Sequence, residues 1–400
     1  MLAPSMAHLD NSKEIIKKIE NCRKSIFYIP NYKILDQIDF NVGLSQKIFE
    51  FDIVIFKPFK KGIILSDPHN MPKIKNVFNY LKPLVKISER FNFPIIIKIL
   101  DNLILKKYLN NKELNKFNYS KNNILIGDLS QSFFINDLIK SHNIHICKFL
   151  HISHGINPKL LGMNHILDTT NIEKILITQF SYYDKKYNPI SFNNADVRLI
   201  DVGIPRHENI EIGQFDQHSK DILIISRPHT SNYFDKADKD YAMQLITRLA
   251  QNHDLRIYIK LHPKETNQRY YSRFFKNAYF DNWQYLNQQV LESRRKYSYA
   301  LSFHDSGANK DLIRMGIPVS TVMRKKVFEK WTDNPFNIKE IPKELLAVFS
   351  KMYSIVFDYE NLEKLFDKRH EIIEKQSDGY KDYYYKPSGS VERITKLLDQ

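Results

Sequence analysis

The chain has 400 residues, too many for one small core and enough for two domains of ~150–200 residues each. With 42% hydrophobic, 13% aromatic and 26% charged residues it reads as a folded globular protein, which excludes disorder as the dominant state, and its 2 cysteines, Cys22 and Cys147, exclude a disulfide framework or a cysteine zinc site. The 60 Lys and Arg against 45 Asp and Glu leave a net charge of +15, which suits a polyanionic partner: nucleic acid, an anionic membrane face or a phosphate-rich substrate.

Asn11-Ser-Lys-Glu14 has the form of a capping box and opens a helix with Ile15, Ile16, Ile19 and Cys22 on one face. Lys13, Lys17, Lys18, Arg23 and Lys24 make that helix basic, so it suits a membrane surface as well as packing on a sheet. Short β-branched or aromatic runs follow and read as strands: Ser25–Pro30, Ile53–Phe59, Pro94–Leu100, Asn123–Gly127, Ile146–Ile152, Lys174–Gln179 and Val197–Val202. The polar stretch Glu208–Lys220 reads as a hinge. A second series of strands comprises Asp221–Ser226, Leu255–Leu261, Tyr299–Phe303 and Pro318–Met323, with helices over Ala237–Asn252 and Gln284–Lys296. The tail, Tyr359–Gln400, reads as a helix, an aromatic loop over Asp378–Pro387 and a last helix. Continuous apolar strands alternating with helices argue for parallel α/β sheets, and two series for two Rossmann-like domains, 1–210 and 211–345, with a helical tail, 346–400, packing back on the hinge. No stretch approaches the ~20 apolar residues of a membrane span, and no apolar leader core opens the chain. The expected place is the cytoplasm, touching a membrane from its inner face only.

Three segments carry chemistry. Phe149–Lys159 ends a strand and opens into Ser153-His154-Gly155, where ligands of α/β sheets bind; His154 has the pKa of a general base, Gly155 allows close approach, and Lys159 faces anionic groups. Leu255–Lys264 delivers His262 at a second strand end, with Pro263 stopping the strand and Lys260 and Lys264 flanking it, a set suited to a diphosphate. Ala300–Asp311 passes from a strand through Ser306 and Gly307 into a helix, whose first N–H groups can receive a phosphate. Two HxxH pairs, His142/His145 and His151/His154, have zinc-like spacing, but neither HExxH nor a third ligand accompanies them, and no metal is expected.

Taken together, His154-Gly155…Lys159, Gly203-Ile-Pro-Arg-His-Glu208, Leu261-His-Pro263 and Asp305-Ser-Gly-Ala-Asn-Lys-Asp311 resemble the CDP-glycerol glycerophosphotransferases, the teichoic-acid primases and polymerases, with relatives among capsule polymerases. Asp378-Gly379 and Ser390-Val-Glu-Arg393 echo that family's terminal region, so the resemblance spans about 145–395. It departs at His304, where the family has an acid, at Gly307, where it has a serine, and at Ile156, where it has a threonine. These departures leave glycerol phosphate and a sugar both open as the transferred group.

The resemblance implies a GT-B fold of two facing Rossmann-like domains. It also implies a transferase that takes a nucleotide-activated donor, CDP- or CMP-linked, and serves a cell-surface polymer or lipid-linked acceptor, with no other cofactor. In that scheme His154 is the base and His262 steadies the leaving phosphate. Lys260, Pro263, Lys264, His304, Asp305, Ser306, Gly307 and Asp311 lie on the donor side, and Gly155, Lys159 and Arg206 on the acceptor side. Sialyl- and Kdo-transferases share the architecture, as do nucleotide-sugar 2-epimerases, which share the loop Asp305-Ser306-Gly307. The basic charge and His154-Gly155…Lys159 favour transfer, with an anionic membrane surface as partner. A nucleic-acid-binding protein would need a basic stripe, whereas Lys and Arg are scattered here and the densest clusters, Lys57–Lys61 and Arg324–Lys326, are short.

Overall fold

The computed structural model describes residues 15, 18, 25–29, 51–56, 64–66, 124–127, 139, 145–152, 169–182, 196–227, 234–262, 265, 269–287, 290–303, 306–327 and 350–399. In the first half, β1 (Ser25–Ile29) and β2 (Phe51–Phe56) pair in parallel and β3 (Ile64–Ser66) joins β2 antiparallel. β4 (Ile124–Gly127), β5 (Ile146–His151), β6 (Ile172–Gln179) and β7 (Asp196–Asp201) form a parallel sheet in chain order. The expected strand Pro94–Leu100 lies outside the described residues, as does most of the basic amino-terminal helix, of which Ile15 and Lys18 are helical.

The second half holds β8 (Asp221–Ile225), β9 (Arg256–Lys260), β10 (Trp283–Tyr285), β11 (Tyr299–Phe303), β12 (Val319–Val322) and β13 (Ile355–Val356). They form one parallel sheet in the order β10-β9-β8-β11-β12-β13. Helices α1 (Lys236–Asn252), α2 (Arg269–Asn277) and α3 (Gly307–Met315) alternate with these strands, and α4 (Tyr359–Asp367), α5 (Arg369–Tyr383) and α6 (Ser390–Asp399) close the chain.

Both faces of the central strands of the second sheet are buried, which is why β8, β9 and β11 are mostly apolar instead of alternating. Ile222, Ile224, Ile257, Ile259, Tyr299, Leu301 and Phe303 meet Met243, Ile246 and Leu249 of α1, Phe275 of α2 and Leu362 of α4. Leu223, Ile225, Tyr258 and Ala300 turn the other way, into a core shared with Leu150, Ile152 and Leu176 of the first half and Tyr380, Tyr383 and Ile394 of the tail. β13 and α4 belong to the second sheet and its core although they lie beyond residue 345.

Two expectations are corrected. Gln284–Lys296 is not a helix: its start is β10, a 3-10 turn stands at Val290–Glu292, and Tyr297 just beyond bridges Phe215. Pairing wins over helix propensity there, because Trp283 lies opposite Ile257 on β9 and its ring stacks on Phe275 at 4.8 Å. Asp378–Pro387 is not a loop up to Tyr383, since α5 runs through it. Gly379 does not break that helix. A Cβ there would sit 2.8 Å from Lys351 Cβ and Met352 Cγ, so the bare backbone is what lets the neighbouring turn lie against α5.

Candidate functional site

The second sheet reverses its strand order between β8 and β11, the switch point at which open α/β sheets form a ligand crevice outside the carboxyl ends of their strands. Ser226 follows β8, His262 follows β9, Ser306 follows β11 and Arg324 follows β12, all on that edge. Ser306 is extended (φ −138°, ψ 140°) and caps α3 by accepting the Ala308 N–H at 3.3 Å. With Gly307 first and Ala308 second, the opening turn of this nine-residue helix carries little side-chain bulk, and Ser306 accepts its Ala308 and Asn309 N–H groups.

His262 is held by its backbone. Its N–H donates to Ser226 Oγ at 2.9 Å, and its carbonyl accepts the Glu265 N–H at 2.8 Å. Ser226 in turn donates its hydroxyl to Glu265 Oε2, and its own N–H to the Lys260 carbonyl at 3.0 Å. Glu265 Oε1 receives Lys239 Nζ of α1 and, at 3.1 Å, the Tyr271 hydroxyl of α2. The Lys239 side chain is fully buried and the Glu265 side chain 3% exposed, with the Tyr270 and Tyr271 rings each 4.4 Å from the ammonium. Burial pushes the Lys239 ammonium below its ordinary pKa, with Glu265 opposing, and burial beside Glu265 pushes the Tyr271 phenol well up. Removing one partner would leave an uncompensated buried charge, typically about 3–5 kcal/mol.

A second cluster joins the end of the first half to α3 and the tail. Arg206 pairs with Asp311 Oδ1 at 2.7 Å, side chains 7% and 10% exposed. His207, fully buried, places Nε2 2.7 Å from the same oxygen and Nδ1 2.7 Å from the Tyr380 hydroxyl, so a neutral ring donates to Asp311 and accepts from Tyr380. Burial lowers the His207 pKa, aided by Arg206 and Arg314 and opposed by Asp311. Burial alone would raise the Asp311 carboxyl, but Arg206 and His207 outweigh it and hold it low. Glu208 accepts the Gly389 and Val391 N–H groups at 3.2 and 2.9 Å, capping α6. Arg393 donates to the Val202 carbonyl at 2.7 Å. Gly203, at φ +69°, passes so close to the tail that a Cβ would lie 2.5 Å from the Tyr385 carbonyl oxygen.

Of the residues singled out in the sequence, the structure brings His262, Lys260, Ser306 and Gly307 to the crevice edge and sets Arg206 and Asp311 against each other in the joint. His154, Gly155, Lys159, Pro263, Lys264, His304 and Asp305 lie outside the described residues. His145 sits 2.8 Å from Glu173, and His151 accepts the Thr178 hydroxyl on its carbonyl at 2.8 Å. Arg324 pairs with Asp238 and, at 3.3 Å, with Asp235, the cap of α1. Sequence reasoning missed Ser226, Lys239, Glu265 and His207. The available signals were a serine ending an apolar run and a glutamate three residues after His262.

No family model matches the chain, and no curated protein matches it. Among solved structures it is similar to UDP-GlcNAc 2-epimerase from Neisseria meningitidis bound to UDP-GlcNAc, at 14% identity over 99% of this chain and 97% of that one, with a TM-score of 0.52. It is also similar, at a TM-score of 0.47, to UDP-GlcNAc 2-epimerase from Methanocaldococcus jannaschii, with 13% identity over 98% of this chain and 96% of that one. The fold is therefore of the GT-B type: two parallel-sheet, Rossmann-like α/β domains with a helical tail.

Proposed function

We propose that the chain is a transferase that takes a nucleotide-activated donor at the crevice between β8 and β11. The observation that carries this is the convergence there of the Ser306-capped end of α3 and the clamped His262 loop. A helix N-terminus and an imidazole beside Lys260 suit the two phosphates of a nucleoside diphosphate leaving group, since both donate to developing negative charge. The resemblance to CDP-glycerol glycerophosphotransferases supports a cytidine donor, with glycerol phosphate or a sugar as the group moved. His154 then takes the proton of the acceptor hydroxyl, with Gly155 and Lys159 beside it. The acceptor is a polymer or a lipid-linked chain, met at the inner face of the membrane by the Lys13–Lys24 segment and by Lys325 and Lys326.

A second reading, a nucleotide-sugar 2-epimerase, draws on the near full-length likeness to the Neisseria enzyme. The test is thermal stabilisation by CMP, CDP, UMP and UDP, followed by product analysis. Stabilisation by cytidine nucleotides with transfer to an acceptor supports the first reading. Preference for UDP with inversion at C2 of UDP-GlcNAc in the absence of acceptor supports the second, and stabilisation by none of the four overturns both.

A further inference from the structure

We infer that Ser226 and Glu265, anchored by the buried Lys239 ammonium, are positioning residues that set the His262 loop for the phosphates of a nucleotide; this rests on the reading of the crevice above. The Glu265 N–H donates to the His262 carbonyl at 2.8 Å, a turn bond between the two residues. That turn alone would leave the His262 amide without a fixed direction. Ser226 supplies it, because its hydroxyl oxygen accepts that amide at 2.9 Å while its proton goes to Glu265 Oε2.

The hydroxyl can point only one way, since the carboxylate accepts and the amide donates. Glu265 cannot swing, because Lys239 holds its other oxygen and the Tyr271 hydroxyl lies 3.1 and 3.3 Å from its two oxygens, and both come from helices packed in the core behind the sheet. The His262 backbone is thus tied to α1 and α2 through a chain of hydrogen bonds that runs over Ser226 and Glu265. A lysine and a glutamate this deeply buried contribute little net stability compared with an apolar pair, which fits a role in orientation.

The experiment measures CDP and UDP affinity by calorimetry at 25 °C on the full chain, with melting followed separately. Ser226→Ala keeps the Lys239–Glu265 pair and removes only its link to the His262 amide. Expected is a threefold to tenfold weaker affinity, the range one lost hydrogen bond supplies. Ser226→Thr, which retains the hydroxyl, should restore it. In a His262→Ala background the Ser226→Ala change should have little further effect, because the two act as one unit. A lowered melting temperature with wild-type affinity in Ser226→Ala, or equal losses with and without His262, overturns the inference alone. Absence of nucleotide binding by the unmodified chain overturns the crevice reading, and the inference with it. If alanine leaves the protein unfolded, Ser226→Cys, with the same shape and weaker hydrogen bonding, is judged by the same criterion.

Discussion

His262 and His207 are both histidines near elements that meet tightly, yet their surroundings give them opposite uses. His262 is half-buried at a strand end, with its backbone N–H held by Ser226. His262→Ala is expected to abolish most of the thermal stabilisation by nucleoside diphosphates while leaving the unliganded melting temperature near that of the parent. His207 is sealed between Asp311 and Tyr380 as a neutral ring. Its folded pKa lies below the ordinary 6.5, so the unfolded chain takes up the proton first. Its contribution is fully present above pH 6.5 and is lost as pH falls through that value toward the lower folded pKa. Asp311, also held low, adds a loss in the same direction only below its ordinary 3.8. Melting temperature should therefore decline between pH 7.5 and 5, and the decline should flatten in His207→Gln even though that variant starts lower. An equal slope in both would remove His207 as the source.

At the level of elements, two glycines separate helix propensity from packing. Gly379 sits inside α5, where alanine is worth roughly 1 kcal/mol more than glycine by propensity. A Cβ there meets Lys351 Cβ and Met352 Cγ at 2.8 Å, so Gly379→Ala is expected to destabilise, with packing outweighing propensity. Gly203→Ala should do more harm, on the order of 2 kcal/mol, because a left-handed backbone and a 2.5 Å approach to the Tyr385 carbonyl act together. Chemical denaturation of the two variants measures both signs. Glu208 illustrates a cap contributed from far along the chain, its carboxylate closing the amino end of α6. The aromatic stretch after Asp378 looked like a loop because its tyrosines carry no helical period a reader would trust. Tyr380 and Tyr383 are buried once the sheets meet, and that burial carries α5 onward.

At the scale of the whole molecule, the second sheet is completed from beyond its own strand series. β13, α4 and the Gln376 side chain, which bonds both the N–H and the carbonyl of Val319, all come after residue 345. A fragment 211–345 is therefore expected to lack a cooperative melt that the full chain shows, and calorimetry of the two decides it. Among the described residues no helix is long and apolar enough to cross a membrane. Electrostatic attachment by a chain of net charge +15 should weaken as salt shortens the Debye length, about 10 Å at 0.1 M. Cosedimentation with anionic vesicles at low and high salt checks it, and equal recovery in the supernatant throughout would remove the membrane from the proposal.

The runs that became β8, β9, β11 and β12 were legible in the chain alone, because strands buried in the middle of a parallel sheet are rich in apolar and β-branched residues, whereas β10 and β13 at its edges were not. The start of α3 was legible too, because Ser306-Gly307 is both a helix cap and a gap in the side-chain cover. What only the tertiary structure decided are the pairings across long separations. Arg206 meets Asp311 across 105 residues, Glu265 meets Ser226 across 39, and Ser390 meets Val202 across 188. A hydrogen bond leaves no periodic trace in either partner's neighbourhood, and a buried lysine such as Lys239 reads in sequence like any surface lysine. Its place follows from the packing of α1 and α2 around Glu265, which settles only when the sheet and both helices are together.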